Sequence, residues 1–168
     1  MAELPTFALA IGAGIGGLAL YFLSRPSPHF SWEEMTTTSQ PYDNTPDFGE
    51  RMKLIALSWR VLEPLRTAFG PILITSAFRS QAVNDATDGA ENSYHRKGMA
   101  ADLYSINGAT HEEMAEWLYE MRDELPLNEV IVERHTGHLH VAVSTDGDPL
   151  NKFLQTSDGR SYSSWAPA

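Results

Sequence analysis

The chain predicts an α+β fold, a small antiparallel sheet flanked by helices and preceded by one N-terminal transmembrane helix. Three observations carry this. Segments with helical and strand patterns follow one another as helix, strand, helix, strand, helix, strand, strand, which is not the regular alternation of a doubly wound sheet. The last two strands are close enough to pair as an antiparallel hairpin across a short Thr-Gly turn. An uncharged run from Phe7 to Leu23 stands apart from everything after it.

That run, FALAIGAGIGGLALYFL, is bounded by Glu3 and by Arg25 with Pro26. At ~1.5 Å per residue it covers about 25 Å, a little short of a ~30 Å hydrocarbon core. A cleaved signal peptide is the rival, but no positive n-region precedes the run and no small-x-small cleavage pattern follows it. Residues 1–24 are therefore expected to be a membrane anchor that meets the lipid bilayer through 7–23. Gly12 and Gly16 form a GxxxG pair suited to helix–helix contacts. Residues 25–30 read as a linker by their proline and serine content, 31–144 as the catalytic-type domain and 145–168 as a C-terminal extension.

Within the domain, Ser31 followed by Glu33 and Glu34 starts a short helix. Thr45 as cap, Pro46 in the first position and the acids Asp47 and Glu50 predict a second start. From there Leu54, Leu57, Val61, Leu62, Leu65 and Phe69 recur at helical spacing, so a helix of roughly twenty residues lays one apolar stripe on the core. Pro64 is placed to bend it and Gly70 to end it. Pro71–Ala77 reads as a buried strand and Phe78–Ala86 runs through Arg79 into a short helix. Met99–Tyr104 is a second strand. Thr110 and Glu113 form a capping box for a helix with Met114, Trp117, Leu118 and Met121 on its inner face. Glu129–Glu133 and His138–Ser144 complete the hairpin. Asp146-Gly147 and Asp158-Gly159 are turn signals, and the tail SSWAPA at 163–168 has little to fix it.

Composition narrows the chemistry. With 22 acidic against 12 basic residues the net charge is −10, which argues against a nucleic-acid partner, since phosphate binding needs clustered Lys and Arg. There is no cysteine, so a metal would have to be held by histidine and carboxylate. Four of the six histidines fall in two short segments, His95 in one and His135, His138 and His140 in the other. Strand alternation places His138 and His140 on one face and Leu139, Val141 and Val143 on the opposite one. His95 and Asp102, with six residues between them, offer a loop ligand and a strand ligand. A third ligand at His140 would complete the three-ligand, one-open-position arrangement of a catalytic zinc site.

The segments SAFRS around Arg79, SYHRKGMAADL around His95 and Asp102, and VIVERHTGHLHVAV around His140 resemble the zinc D-alanyl-D-alanine carboxypeptidase family. Its relatives include L-alanyl-D-glutamate endolysins and the hedgehog signalling domain. The pattern S-x-H-x-x-G-x-A-x-D is matched at Ser93, His95, Gly98, Ala100 and Asp102, and the likeness covers about residues 30–144. The resemblance implies Zn2+ as cofactor with His95, Asp102 and His140 as its ligands. It implies Arg79, with Ser93, in substrate binding, and Arg79, Glu133 and His138 in catalysis. Arg79 also has a structural reading, as half of a buried ion pair. The family's usual general base, a Glu three residues before the last His ligand, is replaced by Gly137; Glu133, His135 and His138 are the proton carriers left open.

The implied activity is hydrolysis of peptide bonds in the stem peptides of bacterial peptidoglycan, by a D,D-carboxypeptidase or an endopeptidase. Joined to the anchor, it implies a membrane-anchored enzyme of a bacterial envelope or of the internal membrane of a phage virion, lysing or remodelling the wall locally. A catalytically inactive, zinc-bound wall-binding or structural module is the alternative, suggested by Gly137.

Overall fold

The computed structural model describes residues 21–167. Five α-helices and six strands are described: α1 (Trp32–Thr36), α2 (Phe48–Leu57), α3 (Glu63–Phe69), β1 (Ile72–Ser76), α4 (Gln81–Ala86), β2 (Ala100–Ser105), α5 (His111–Glu120), β3 (Leu127–Glu133), β4 (His138–Val143), β5 (Lys152–Thr156) and β6 (Ser163–Ser164). The strands form one sheet in the order β1-β2-β4-β3-β5-β6. The pairings are antiparallel except β3 with β5, which is parallel, so the sheet is mixed rather than wholly antiparallel as the sequence suggested.

The helix starts follow from local hydrogen bonding. Thr110 caps α5 in a reciprocal capping box with Glu113, as expected, and Ser31, expected only to start α1, caps it in the same way with Glu34. The cap of α2 is Asp47 rather than Thr45: its carboxylate accepts from the Glu50 amide, and Glu50 reaches back to the Asp47 amide. The long apolar stripe holds, but through three pieces. Between α2 and α3 the residues Ser58–Leu62 form a π-helical segment, closed by the Glu63 amide donating to the Ser58 carbonyl. Pro64 in the first turn of α3 has no N–H to continue the α-helical ladder, which makes this the place where the register widens. Gly70, at φ 77°, ends α3 as expected.

One face of the sheet carries the core. Leu103, Val130, Val132, Leu139, Val141 and Val143 are buried together with Leu54, Leu57, Val61, Leu62 and Leu65 of the helical stretch and with Met114 and Leu118 of α5. The alternating residues of β3 and β4 point the other way and make the floor of an open cleft.

Strands β5 and β6 were not foreseen. The extension expected to have a loose tail adds β5 beside β3, and Trp165 is buried beyond β6, its amide donating to the Phe153 carbonyl. Tyr119 of α5 meets both Phe153 and Trp165 edge-on, at ring-centre distances of 5.0 and 6.3 Å. These three rings pin the C-terminal hairpin to the body.

The membrane expectation is corrected. Among the described residues no helix is long and apolar enough to cross a membrane, which overturns the membrane-anchored location in an envelope or virion membrane. Of the run 7–23, positions 7–20, with Gly12 and Gly16, lie outside the described residues. Residues 21–24 are one helical turn, and the Phe22 carbonyl accepts from the Trp32 indole at 3.1 Å. Residues 25–30 also lean on the domain: Trp59 donates its indole N–H to the Pro26 carbonyl, and Glu63 takes both the amide and the Nδ1 of His29.

Candidate metal centre

Two central strands and one short turn bring His95, Asp102 and His140 together. Asp102 on β2 lies directly opposite His140 on β4 in the antiparallel register, so both side chains rise from the same face. A bulge in β1 between Ile74 and Ser76 brings Ser76 beside Asp102, and the Thr75 hydroxyl donates to the Asp102 carbonyl oxygen. His95 comes from the 3-10 turn His95–Lys97, which ends on Gly98 in the left-handed conformation. The Ser93 hydroxyl accepts from the His95 amide at 3.2 Å, so Ser93 shapes this turn.

The three residues are 3, 9 and 8 % exposed, in chain order. His95 Nε2 is 3.1 Å from Asp102 Oδ1 and 3.2 Å from His140 Nδ1, and His140 Nδ1 is 2.8 Å from Asp102 Oδ1. A carbonyl can only accept, so the 2.6 Å contact from His95 Nδ1 to the Ala77 carbonyl places the proton of a neutral ring there and leaves a lone pair on Nε2. Three lone-pair atoms this close need a proton or a cation between them. Ligand distances of about 2.0–2.2 Å at tetrahedral angles put ligand atoms about 3.3–3.6 Å apart. The observed separations of 2.8–3.2 Å are somewhat shorter, as expected of atoms drawn together by hydrogen bonding, and this compact two-histidine, one-carboxylate donor set forms a group that could hold a metal such as zinc.

Electrostatics follow from burial and from the neighbours. Burial pushes the His95 imidazole down, and the positive charges of His140 and Arg79 add to this against the pull of Asp102, so the ring stays neutral more readily. Burial would push Asp102 up, yet the two imidazoles more than offset it and hold its carboxyl well below the usual range. His140 is desolvated too, but Asp102, Glu129 and Glu133 together raise it.

Arg79 is not free to act on substrate alone. Its Nη2 donates to Asp102 Oδ2 at 2.6 Å and its Nε to Ser76 Oγ at 2.8 Å, so it forms an ion pair, though one partly rather than fully buried. Asp102 thereby offers one oxygen to the cluster and the other to the guanidinium. Asn44 supports this corner from behind, donating to the Thr36 and Phe78 carbonyls and accepting from the Ser80 amide.

The cluster lies in a cleft of about 790 Å³ lined also by Arg79, Ser93, Glu129, Glu133, His135, His138 and Tyr162. Glu133, the last residue of β3, pairs with His138, the first of β4, one row along the face from His140. The His138 ring stacks on Tyr104, with ring centres 5.8 Å apart and planes 9° from parallel. Gly137 has φ 74° and its amide donates to the Glu133 carbonyl, so the hairpin's left-handed turn position accounts for a glycine there.

Sequence reasoning missed Glu129 and Tyr162. Glu129 Oε1 lies 3.9 Å from His140 Nε2 and its other oxygen 3.4 Å from Lys152 Nζ on β5. Its place on the same strand face as Glu133 was readable from the two-residue period. Tyr162 belongs to the β5–β6 turn, held by Asp158, whose carboxylate accepts from the Arg160 and Ser161 amides. The Asp158-Gly159 turn signal was readable, but the strands on either side of it carried no pattern that placed Tyr162 by the cleft.

A family model described as Peptidase M15 matches residues 28–142, well over half of the chain, and takes in His95, Asp102, His140, Arg79 and Glu133. The match stops before β5, so the wall carrying Tyr162 lies beyond it. No curated protein matches the chain.

Proposed function

We propose, from the premise that the chain belongs to the peptidase M15 family, that it is a zinc-dependent peptidase which hydrolyses peptide bonds in the stem peptides of bacterial peptidoglycan. The observation that carries the reading is the convergence of His95 Nε2, Asp102 Oδ1 and His140 Nδ1 in a cleft that also holds a carboxylate, Glu133. When bound by these three atoms, zinc would supply Lewis acidity, bringing the pKa of a water from ~15.7 toward about 7 and polarising a carbonyl.

The remaining work falls to the chain's own side chains. Glu133 takes the proton from the attacking water and returns it to the leaving amine. His138, one row from His140 and backed by Tyr104, donates to the oxygen that becomes negative in the tetrahedral intermediate. Arg79 holds Asp102 through Nη2; its Nη1, which takes part in neither of the bonds described, serves the same oxygen or a substrate carboxylate. Ser93 contributes by shaping the His95 turn. The glycine at 137 is a demand of the turn, so its presence does not favour an inactive module.

Two variants test the reading on defined muropeptides followed by mass spectrometry. Glu133→Gln is expected to keep its zinc and lose at least about 100-fold in hydrolysis, the scale of a lost general base. His95→Ala is expected to lose both zinc and hydrolysis. Undiminished cleavage by either variant overturns the assignment, and stoichiometric zinc in a wild-type protein that cleaves nothing favours the wall-binding module.

A further inference from the structure

The turn between β3 and β4 does more than reverse the chain. It spans 134–137, and Gly137 closes it by donating its amide to the Glu133 carbonyl at 2.9 Å. This returns Thr136 over the end of β3. The His138 amide donates to Thr136 Oγ1 at 3.1 Å, and the same hydroxyl lies 3.0 Å from Glu133 Oε2 and 3.3 Å from the Glu133 carbonyl oxygen. A hydroxyl has one proton to give. The carboxylate oxygen is both nearer and charged, so it is the stronger acceptor. The amide that donates into the hydroxyl polarises it further, giving a short chain from His138 N–H through Thr136 to Glu133.

We propose that Thr136 is a positioning residue that fixes the Glu133 carboxylate in the cleft for proton transfer. It pins Oε2, and Oε1 is left as the oxygen that exchanges the proton. The backbone of Glu133 is already set by its pairing with His138 on one side and Thr156 on the other. Its side chain is not set by the ladder, because a glutamate has rotatable bonds beyond Cβ. Thr136, Glu133 and His138 all line the cleft, so the clamp acts where substrate must lie. This role rests on the reading of Glu133 as general base.

The test uses the full chain loaded with zinc and the variants Thr136→Val, Thr136→Ala and Thr136→Ser. Valine keeps the shape and removes the hydroxyl, and alanine guards against a packing effect of the added methyl. Both are expected to lower kcat about tenfold, a fraction of the full general-base effect, with KM within about twofold. Serine is expected to restore kcat. In the metal-free protein, the Glu133 carboxyl carbon resonance is expected to move in the valine and alanine variants and to stay in place in the serine variant. Full kcat in Thr136→Val and Thr136→Ala, together with an inactive Glu133→Gln, overturns the positioning role alone. Full activity of Glu133→Gln overturns the base assignment and this role with it. A loss that serine does not restore also overturns it, because the hydroxyl is then not the cause.

Discussion

Asp102 is the residue on which the others converge. One carboxylate oxygen lies against both imidazoles and the other accepts from Arg79, so replacing Asp102 removes the carboxylate that touches all three groups and leaves the cluster with the more distant Glu129, 3.9 Å from His140 Nε2. The direction of the Asp102 shift fixes how stability depends on pH in the metal-free protein. A carboxyl held below its unfolded value of about 3.9 contributes stability above that pH, and the contribution fades as pH falls through the folded value. Asp102→Asn is therefore expected to lower Tm most at neutral pH, with the gap to wild type closing below about pH 4. His140 runs the opposite way. Its raised pKa stabilises the metal-free fold below about pH 6.5, and that contribution is lost as pH rises through its folded value. Thermal melts across pH 3–8 check both signs. The residues of this cluster were legible because His95 and Asp102 sit in a spaced pattern and His140 on an alternating strand; the hydrogen bond of Thr136 to Glu133 was not, because a four-residue turn has no periodicity to read.

At the scale of elements, the turn that carries His95 depends on Gly98. Its φ of +68° is left-handed, and a Cβ there would come within 2.7 Å of the Glu50 carbonyl oxygen on α2. Gly98→Ala must accept the left-handed penalty of about 1–2 kcal/mol and also move backbone. The expected outcome is a loss of stability larger than that penalty, read by denaturant unfolding, with weaker zinc retention because the His95 turn shifts. The helix start at Ser31, the capping box at Thr110 and the hairpin of β3 and β4 were readable, since each is set by residues within a few positions. Three features were not. The π segment Ser58–Leu62 hides inside an uninterrupted apolar stripe, because widening one turn leaves the buried face almost unchanged. Asp47 outcompetes Thr45 as the α2 cap because only it forms a reciprocal pair with Glu50. Strand β5 has the short run Lys152–Thr156, and what makes it a strand is a parallel partner some twenty residues away in sequence, β3.

For the whole molecule, the sheet divides the labour. Its covered face supplies the core, and its open face presents Asp102, His140, Glu129, Glu133 and His138 in adjacent rows, with a wall from the unforeseen C-terminal hairpin. A net charge of −10 would give no attraction to an anionic wall, so under the proposed function recognition would come from contacts inside the cleft rather than from long-range steering. The central claim is that a metal held by His95, Asp102 and His140 makes this cleft a peptidase. The most direct measurement is zinc content and muropeptide cleavage on the same wild-type sample, before and after chelation and after zinc is restored. We expect one zinc per chain, cleavage of a stem-peptide bond that vanishes on chelation, and its return with added zinc. Cleavage that persists in the zinc-free protein would contradict the account.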